Sequence, residues 1–337
     1  MSTDTLSEVL RAVRLSGAVF FRVEASAPWV AEAPAASDVA PHVMPGAEHV
    51  IEYHVVTRGT CFASLIGGKD VELHEGDVVV FPQGDSHVMA SRPGMRGEPD
   101  LAVHRHPERG QLPIAISMGT PGPNVTEVVC GFLGCDAQPF NPLLATLPRM
   151  IHAPRGQGGS SHIPELLRVA VAESAARNAG SECMLSRLSE LLFIEVVRKH
   201  IVGLPPGTTG WLAGLRDEVV GRALGLLHDR PAHAWALEDL AAEVGLSRSM
   251  LAERFHHFVG VPPMQYLARW RMQLAAGLLS NGTAPLIEIA TRVGYGSEAA
   301  FSRAFKRWVG IAPSAWRNGE RSVGFEASVS DSDASEL

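Results

Sequence analysis

Leu240-Ala-Ala-Glu-Val-Gly-Leu-Ser-Arg-Ser-Met-Leu-Ala-Glu-Arg-Phe255, closed by Gly260-Val-Pro-Pro263, is echoed about 50 positions later. The echo is Ile289-Ala-Thr-Arg-Val-Gly-Tyr-Gly-Ser-Glu-Ala-Ala-Phe-Ser-Arg-Ala-Phe305, closed by Gly310-Ile-Ala-Pro313. In each copy a short apolar helix ends at a glycine, Gly245 or Gly294. A serine, Ser247 or Ser297, then stands where a helix N-cap is wanted, and a second helix runs to a Phe. Glycine permits the left-handed turn, and a serine hydroxyl satisfies a free backbone N–H at the helix start. This is the pattern of a helix-turn-helix, which lays its second helix in the DNA major groove.

The two second helixes share a core stripe and differ elsewhere. Leu251, Phe255 and Phe258 recur at i, i+4, i+7, as do Phe301, Phe305 and Trp308, and such a stripe faces a core. That leaves Arg248, Ser249, Ala252, Glu253 and His256 outward in the first copy. The second presents Glu298, Ala299, Ser302, Arg303 and Lys306, with Arg307 and the cap Ser297 beside them. Arg and Lys bond guanine edges or phosphates, Ser bonds either, and Glu accepts from a cytosine amino group. Between the copies, Tyr266 to Leu279 reads as a long helix with Leu267, Trp270, Leu274 and Leu278 inward. It is a spacer that would hold the recognition helices about one duplex turn (~34 Å) apart. Unlike faces on a repeated scaffold predict two unlike DNA boxes.

From Trp211 to Arg317 the chain resembles the AraC/XylS family of bacterial transcription regulators. The stretches that carry the likeness are Leu240 to Ser247, Tyr266 to Met272 and Ile289 to Arg307. The resemblance implies base reading by Ser249, Ala252 and Glu253 in the first unit and by Glu298, Ala299, Ser302 and Arg303 in the second. It also implies promoter DNA, RNA polymerase and a second copy of the chain as partners, with activation as the family tendency.

Residues 1–153 have a different character. Val50 to Val56, Cys61 to Ile66 and Val78 to Phe81 are short β-branched runs ended by Gly-rich turns, the signature of a β-sandwich or barrel. Gly76-Asp-Val-Val-Val-Phe-Pro82-Gln-Gly84-Asp-Ser-His87 has the spacing G-(x)5-P-x-G-x-x-H and resembles the second motif of the cupins. With Phe21 to Trp29 and Cys130-Gly131, it resembles the cupin-type sensor domain that precedes AraC-type DNA-binding domains. Such a barrel mouth suits a small ligand.

The first cupin motif is reduced to His54 beside Glu52 and Tyr53, with no later Glu at the usual place. His54 and His87 with a thiol, Cys130 or Cys61, would suit zinc or another soft divalent ion. A barrel histidine bonded to a carbonyl and a thiol acting as a small hydrophobe is the alternative. His42, His49, His104 and His106 have no ligand spacing. Oxidation of Cys61, Cys130 or Cys135 is a second sensing route, which needs a lowered thiol pKa. A metal-dependent cupin enzyme with an appended helical domain is the competing function; it requires a fuller ligand set than His54 and His87 supply.

The expected organisation is therefore α+β in two domains. A cupin-like β-barrel occupies 1–153, and a loop and helical pair, able to dimerise, occupies 154–205. A double helix-turn-helix domain spans 211–320, and an acidic, disordered tail spans 321–337. The helical pair is read from Pro164 to Asn178 and from Ser186 to Ile201, where apolar residues fall at helical spacing. A formal charge of −7 looks wrong for a DNA binder. Bases nevertheless outnumber acids from Pro231 to Gly324, and a local basic face governs phosphate contact. No run of about 20 apolar residues marks a membrane span. The N-terminus has no apolar signal region, and the four cysteines have no disulfide-framework spacing, so the cytoplasm is expected.

Overall fold

A computed structural model describes residues 4–104, 113–156, 162–176 and 178–320. His106, the acidic tail and residues 157–161 of the expected loop lie outside the described residues. The chain forms two compact units, which do not follow the linear boundaries. One comprises residues 14–136 and 147–204, the other 1–13, 137–146 and 205–337.

The β-rich unit is two sheets. The six-stranded sheet has the order β10-β6-β3-β9-β1-β8. Its strands are β1 (Ser16–Ser26), β3 (His49–Arg58), β6 (Val78–Phe81), β8 (Ile114–Met118), β9 (Val125–Cys135) and β10 (Ile151–Ala153). The four-stranded sheet, β2-β7-β4-β5, is built from β2 (Val30–Ala33), β4 (Thr60–Leu65), β5 (Val71–His74) and β7 (His87–Ala90). Expected and observed strands coincide closely, because each apolar run stops at a glycine turn that a strand cannot continue through.

Alternation sets what each face of β3 does. Val50 and Val56 point into a core with Phe21, Val79, Phe81, Val128, Cys130 and Phe132. Tyr53, Val55 and Thr57 on the other face line an apolar cleft with Leu166, Leu188, Ser189 and Leu192. Those residues belong to α3 (Ile163–Ala176) and α4 (Ser181–Gly203), so the expected helical pair packs on the sheet rather than standing as a separate linker. The Tyr53 hydroxyl and Ser189 Oγ, 2.6 Å apart, fix this contact. A short helix, α2 (Ala36–Val43), completes the unit.

The second unit is helical. It contains α1 (Thr5–Ala12), α5 (Trp211–Arg216), α6 (Glu218–Asp229), α7 (Leu237–Glu243), α8 (Arg248–Val259) and α9 (Pro263–Asn281), then α10 (Leu286–Arg292), α11 (Glu298–Val309) and α12 (Pro313–Arg317). The pairs α7/α8 and α10/α11 are the two helix-turn-helix units, and α9 is the spacer. Ser247 Oγ accepts from Met250 N and Ser297 Oγ accepts from Ala300 N, so both serines cap as expected. Leu251, Phe255, Phe301 and Phe305 are fully buried. Phe258 and Trp308 are only half-buried, and in the second stripe Val309 takes the buried place. Leu274 and Leu278 of the spacer are likewise half-buried. Trp308 still packs against the same core as a partly buried residue, so the second stripe is widened rather than moved.

Gly294 shows why the second turn is glycine. Its φ is +85°, and a Cβ there would meet the backbone of Ala232 at 2.8 Å and the Arg271 guanidinium at 2.9 Å. Arg271, on α9 and nearly buried, donates to the carbonyls of Pro231 (2.7 Å) and His233 (2.8 Å). Its guanidinium also lies 5.8 Å from the centre of the Tyr295 ring, at the second turn. One side chain thus bolts the segment before the first unit to the turn of the second.

Candidate functional site

The two recognition helices differ in how their cations are used. On α8, Arg248 donates to Glu238 at 2.7 Å, and Arg254 forms a two-bond pair with Asp217 at 3.0 and 2.7 Å. Ser249 and Glu253 are exposed beside them. On α11, Arg303 and Lys306 are exposed, and among the described residues neither is engaged in an ion pair. Arg307 lies over the Trp308 ring, 5.9 Å from its centre. Ser302 is half-buried, and Ser297 and Glu298 are exposed at the helix start, where a carboxylate suits the helix dipole. The helical face with uncommitted positive charge is therefore the second one.

In the β-rich unit, β3 and β7 bring three ligand-type side chains together between the sheets. Glu52 and His54, two residues apart on β3, share the inner face. His87 begins β7 in the opposite sheet. The ligand atoms of these three lie within 4.8 Å of one another, and all three residues are buried. His54 Nε2 and His87 Nε2 are 2.6 Å apart, and His87 Nε2 is 3.7 Å from Glu52 Oε2.

The turn before β7 aims His87. Gly84 has φ +68°, and a Cβ there would strike Ala36 Cβ at 2.7 Å and the Val50 carbonyl at 2.9 Å. The turn then presents the Asp85 carbonyl, which accepts from His87 Nδ1 at 2.9 Å. A carbonyl only accepts, so Nδ1 carries the proton and Nε2 of the neutral ring presents its lone pair toward His54. Phe81 stacks on the same ring at 3.7 Å. Arg149 holds the Asp85 carboxylate through bonds of 2.6 and 3.1 Å. Beside this turn is an open cleft of about 430 Å³, lined by Ala36, Glu48, His49, Gln83, Asp85 and Arg149.

Burial sets the charge states. It holds His54 well below the usual imidazole range and His87 at about 4, so both are neutral at pH 7. It pushes the Glu52 carboxyl up to about 8. Among the described residues, Glu52 Oε1 and His54 Nδ1 have no hydrogen-bond partner. Two neutral imidazoles and a carboxyl with an orphaned oxygen form a donor set that a divalent cation fits. A bound cation would favour the carboxylate again.

Of the expected third ligands, Cys130 pairs with His54 across β3/β9 but does not join the group, and Glu52 is there instead. The signal was present in the sequence: Glu-x-His on a strand places both side chains on one face. Burial disfavours the thiolate that oxidation needs at Cys61, Cys130 and Cys135. Cys61 and Cys135 are buried and pushed up to about 12, Cys130 is pushed higher still, and Cys183 is the exposed one. His49 bonds the Pro82 carbonyl at 2.7 Å. His104 bonds the Asp100 carbonyl at 3.1 Å and sits edge-on to Phe132. Glu52 makes the ligand-type group fuller than His54 and His87 alone.

A β-rich domain with a buried polar cluster and a double helix-turn-helix domain define a DNA-binding transcriptional regulator. Residues 4–202 match the Cupin family, and residues 240–319 match the Helix-turn-helix domain family. An AraC-like transcription regulator of Streptomyces antibioticus is 36% identical over 80% of this chain and 88% of that protein. The HTH-type transcriptional regulator AlkR of Acinetobacter baylyi is 30% identical over 93% of this chain and 99% of that protein. The DNA-binding domain of AdpA, solved with a target DNA, is 27% identical with a TM-score of 0.30, over 31% of this chain and 93% of that one. The chain belongs to the AraC family of transcriptional regulators, with a cupin domain ahead of its helix-turn-helix domain, and it is a regulator rather than an enzyme. No helix among the described residues is long and apolar enough to cross a membrane.

Proposed function

We propose that this regulator is a cytoplasmic, sequence-specific activator whose DNA binding answers to a signal received in the cupin domain. The observation that carries the reading is the convergence of Glu52, His54 and His87, buried and with orphaned atoms, between the two sheets. The proposed occupant is a divalent ion such as zinc, held by Glu52 oxygen and the two Nε2 atoms. When bound, such an ion adds positive charge and an open coordination position for a small effector. The cleft beside Asp85 is the proposed effector entrance, because Asp85 itself orients His87.

On DNA, Arg303 and Lys306 are the proposed principal contacts. Arg248, Ser249, Glu253, Ser297, Glu298, Ser302 and Arg307 complete the two faces. The protein works as a homodimer in this reading. Met184 and Leu191, exposed and two helical turns apart on one face of α4, are the apolar positions that a second copy would cover. RNA polymerase is the downstream partner. Elemental analysis of chelator-free protein, followed by binding to a duplex selected from a randomised pool with and without the metal found, tests the reading. Protein that is metal-free and takes up no divalent ion defeats it.

A further inference from the structure

Gln273 lies on the spacer helix α9 and is 1% exposed. A buried primary amide needs partners at both ends. Both partners here are backbone atoms from distant parts of the chain. Oε1 accepts from Phe140 N at 3.0 Å, and Nε2 donates to the Ala12 carbonyl at 3.3 Å. The Phe140 ring then meets Tyr266 of α9 edge-on, with centroids 5.5 Å apart. Tyr266 is held in turn, its hydroxyl accepting from Trp211 Nε1 and meeting His228 Nε2, each at 2.8 Å.

The two segments that Gln273 holds are the covalent leads of two neighbouring strands. Ala12 ends α1, shortly before β1 begins at Ser16; Phe140 follows β9, which ends at Cys135. β1 and β9 are antiparallel, and Ser16 pairs with Gly134, so both leads leave the same end of that strand pair. There Arg14 and Asp136 are joined by two hydrogen bonds of 2.6 and 2.7 Å. Arg14 is left-handed at φ +50°, a costly conformation for a side chain with a Cβ, and it turns the chain out of the strand. The same β9 carries Cys130 and Phe132, the cross-strand partners of His54 and Glu52.

We infer that Gln273 is a latch that ties the spacer helix to the two chain segments leading into β1 and out of β9, so that a change at those strand ends alters DNA affinity. α9 carries both helix-turn-helix units. It cannot shift against either lead without leaving a buried amide or its backbone partner unpaired. The latch does not depend on what occupies the Glu52–His54–His87 cluster.

A double-mutant cycle on the full chain tests it, read as Kd for a duplex selected by the wild-type protein from a randomised pool. Asp136→Asn, which weakens the strand-end staple, shifts Kd by roughly threefold or more in the wild-type background, and the shift disappears in Gln273→Met. The Phe140 amide exchanges with solvent deuterium much faster in Gln273→Met, while the β9 amides are unchanged. Gln273→Glu keeps the acceptor for Phe140 and loses the donor to Ala12, so it retains part of the coupling and serves if Gln273→Met does not fold. An equal Kd shift from Asp136→Asn in all backgrounds, no shift in any, or unchanged Phe140 exchange in Gln273→Met overturns the latch.

Discussion

His54 Nε2 and His87 Nε2 face each other at 2.6 Å between two sheets, with Glu52 Oε2 3.7 Å from His87. Two neutral imidazoles meeting tip to tip offer at most one hydrogen bond, and three ligand atoms converge there. If a cation is what they hold, Glu52→Gln removes its only anionic ligand while keeping shape. Divalent-ion affinity should fall more than about tenfold, and His87→Ala should cost at least as much. Calorimetric titration with zinc measures both. Wild-type affinity in Glu52→Gln would remove the carboxyl from the ligand set.

The two recognition helices should respond differently to loss of charge. Lys306→Ala should weaken binding evenly across sequences and lower the slope of log K against log salt by roughly one. Arg303→Ala should also relax preference at its base position, by about 1–3 kcal/mol if it bonds a guanine edge. Arg248 is already committed to Glu238, so Arg248→Ala should cost less than Arg303→Ala. Salt titrations against selected and mismatched duplexes separate these outcomes; equal losses from Arg248→Ala and Arg303→Ala would contradict the asymmetry.

The bolt between the helix-turn-helix units should be expensive to remove. Arg271→Met strands the Pro231 and His233 carbonyls, and a loss of about 2–4 kcal/mol is expected. Gly294→Ala adds a Cβ against the Ala232 backbone at positive φ and should cost about 1–3 kcal/mol, against little for Gly245→Ala beyond its own φ of +75°. Denaturant unfolding of the variants measures each; a neutral Gly294→Ala would refute the close approach.

Much of this was legible in the sequence. The helix-turn-helix repeat could be read because turn glycine, cap serine and buried Phe are local requirements at fixed spacing. Strands β3, β4 and β6 could be read for a similar reason, since β-branched runs end where glycine turns begin. What could not be read depends on pieces distant in the chain. Nothing near Gln273 announces Ala12 or Phe140 as partners, and only the pairing of two sheets reveals that Glu52 points at His87. Val309 is buried beside Phe305 while Trp308 is only partly buried, because the width of the core-facing stripe is set by the helices packed against it and not by one helix's periodicity.

Acid should destabilise the helical unit through His228. Burial pushes this imidazole down to about 3, whereas it titrates near 6.5 when unfolded. The unfolded chain therefore takes up the proton first, so the stability is present above pH 6.5 and is lost as pH falls toward about 3. At pH 5 the loss is about 2 kcal/mol. His228→Gln can keep a bond to the Tyr266 hydroxyl without the titration, and should flatten the stability profile between pH 6.5 and 4. Thermal melts across that range decide it; an equally steep acid limb in His228→Gln would assign the loss to other groups.

Control of DNA binding by occupancy of the Glu52–His54–His87 cluster is the main expectation. Its most direct measurement is the affinity of the full chain for a selected duplex, in chelator and then across a titration of the native divalent ion. Affinity should change by about tenfold or more as one ion per chain binds, and Glu52→Gln should abolish the change while the fold persists. An identical affinity with and without the ion, in protein shown to bind it, would mean that the cluster does not control DNA binding.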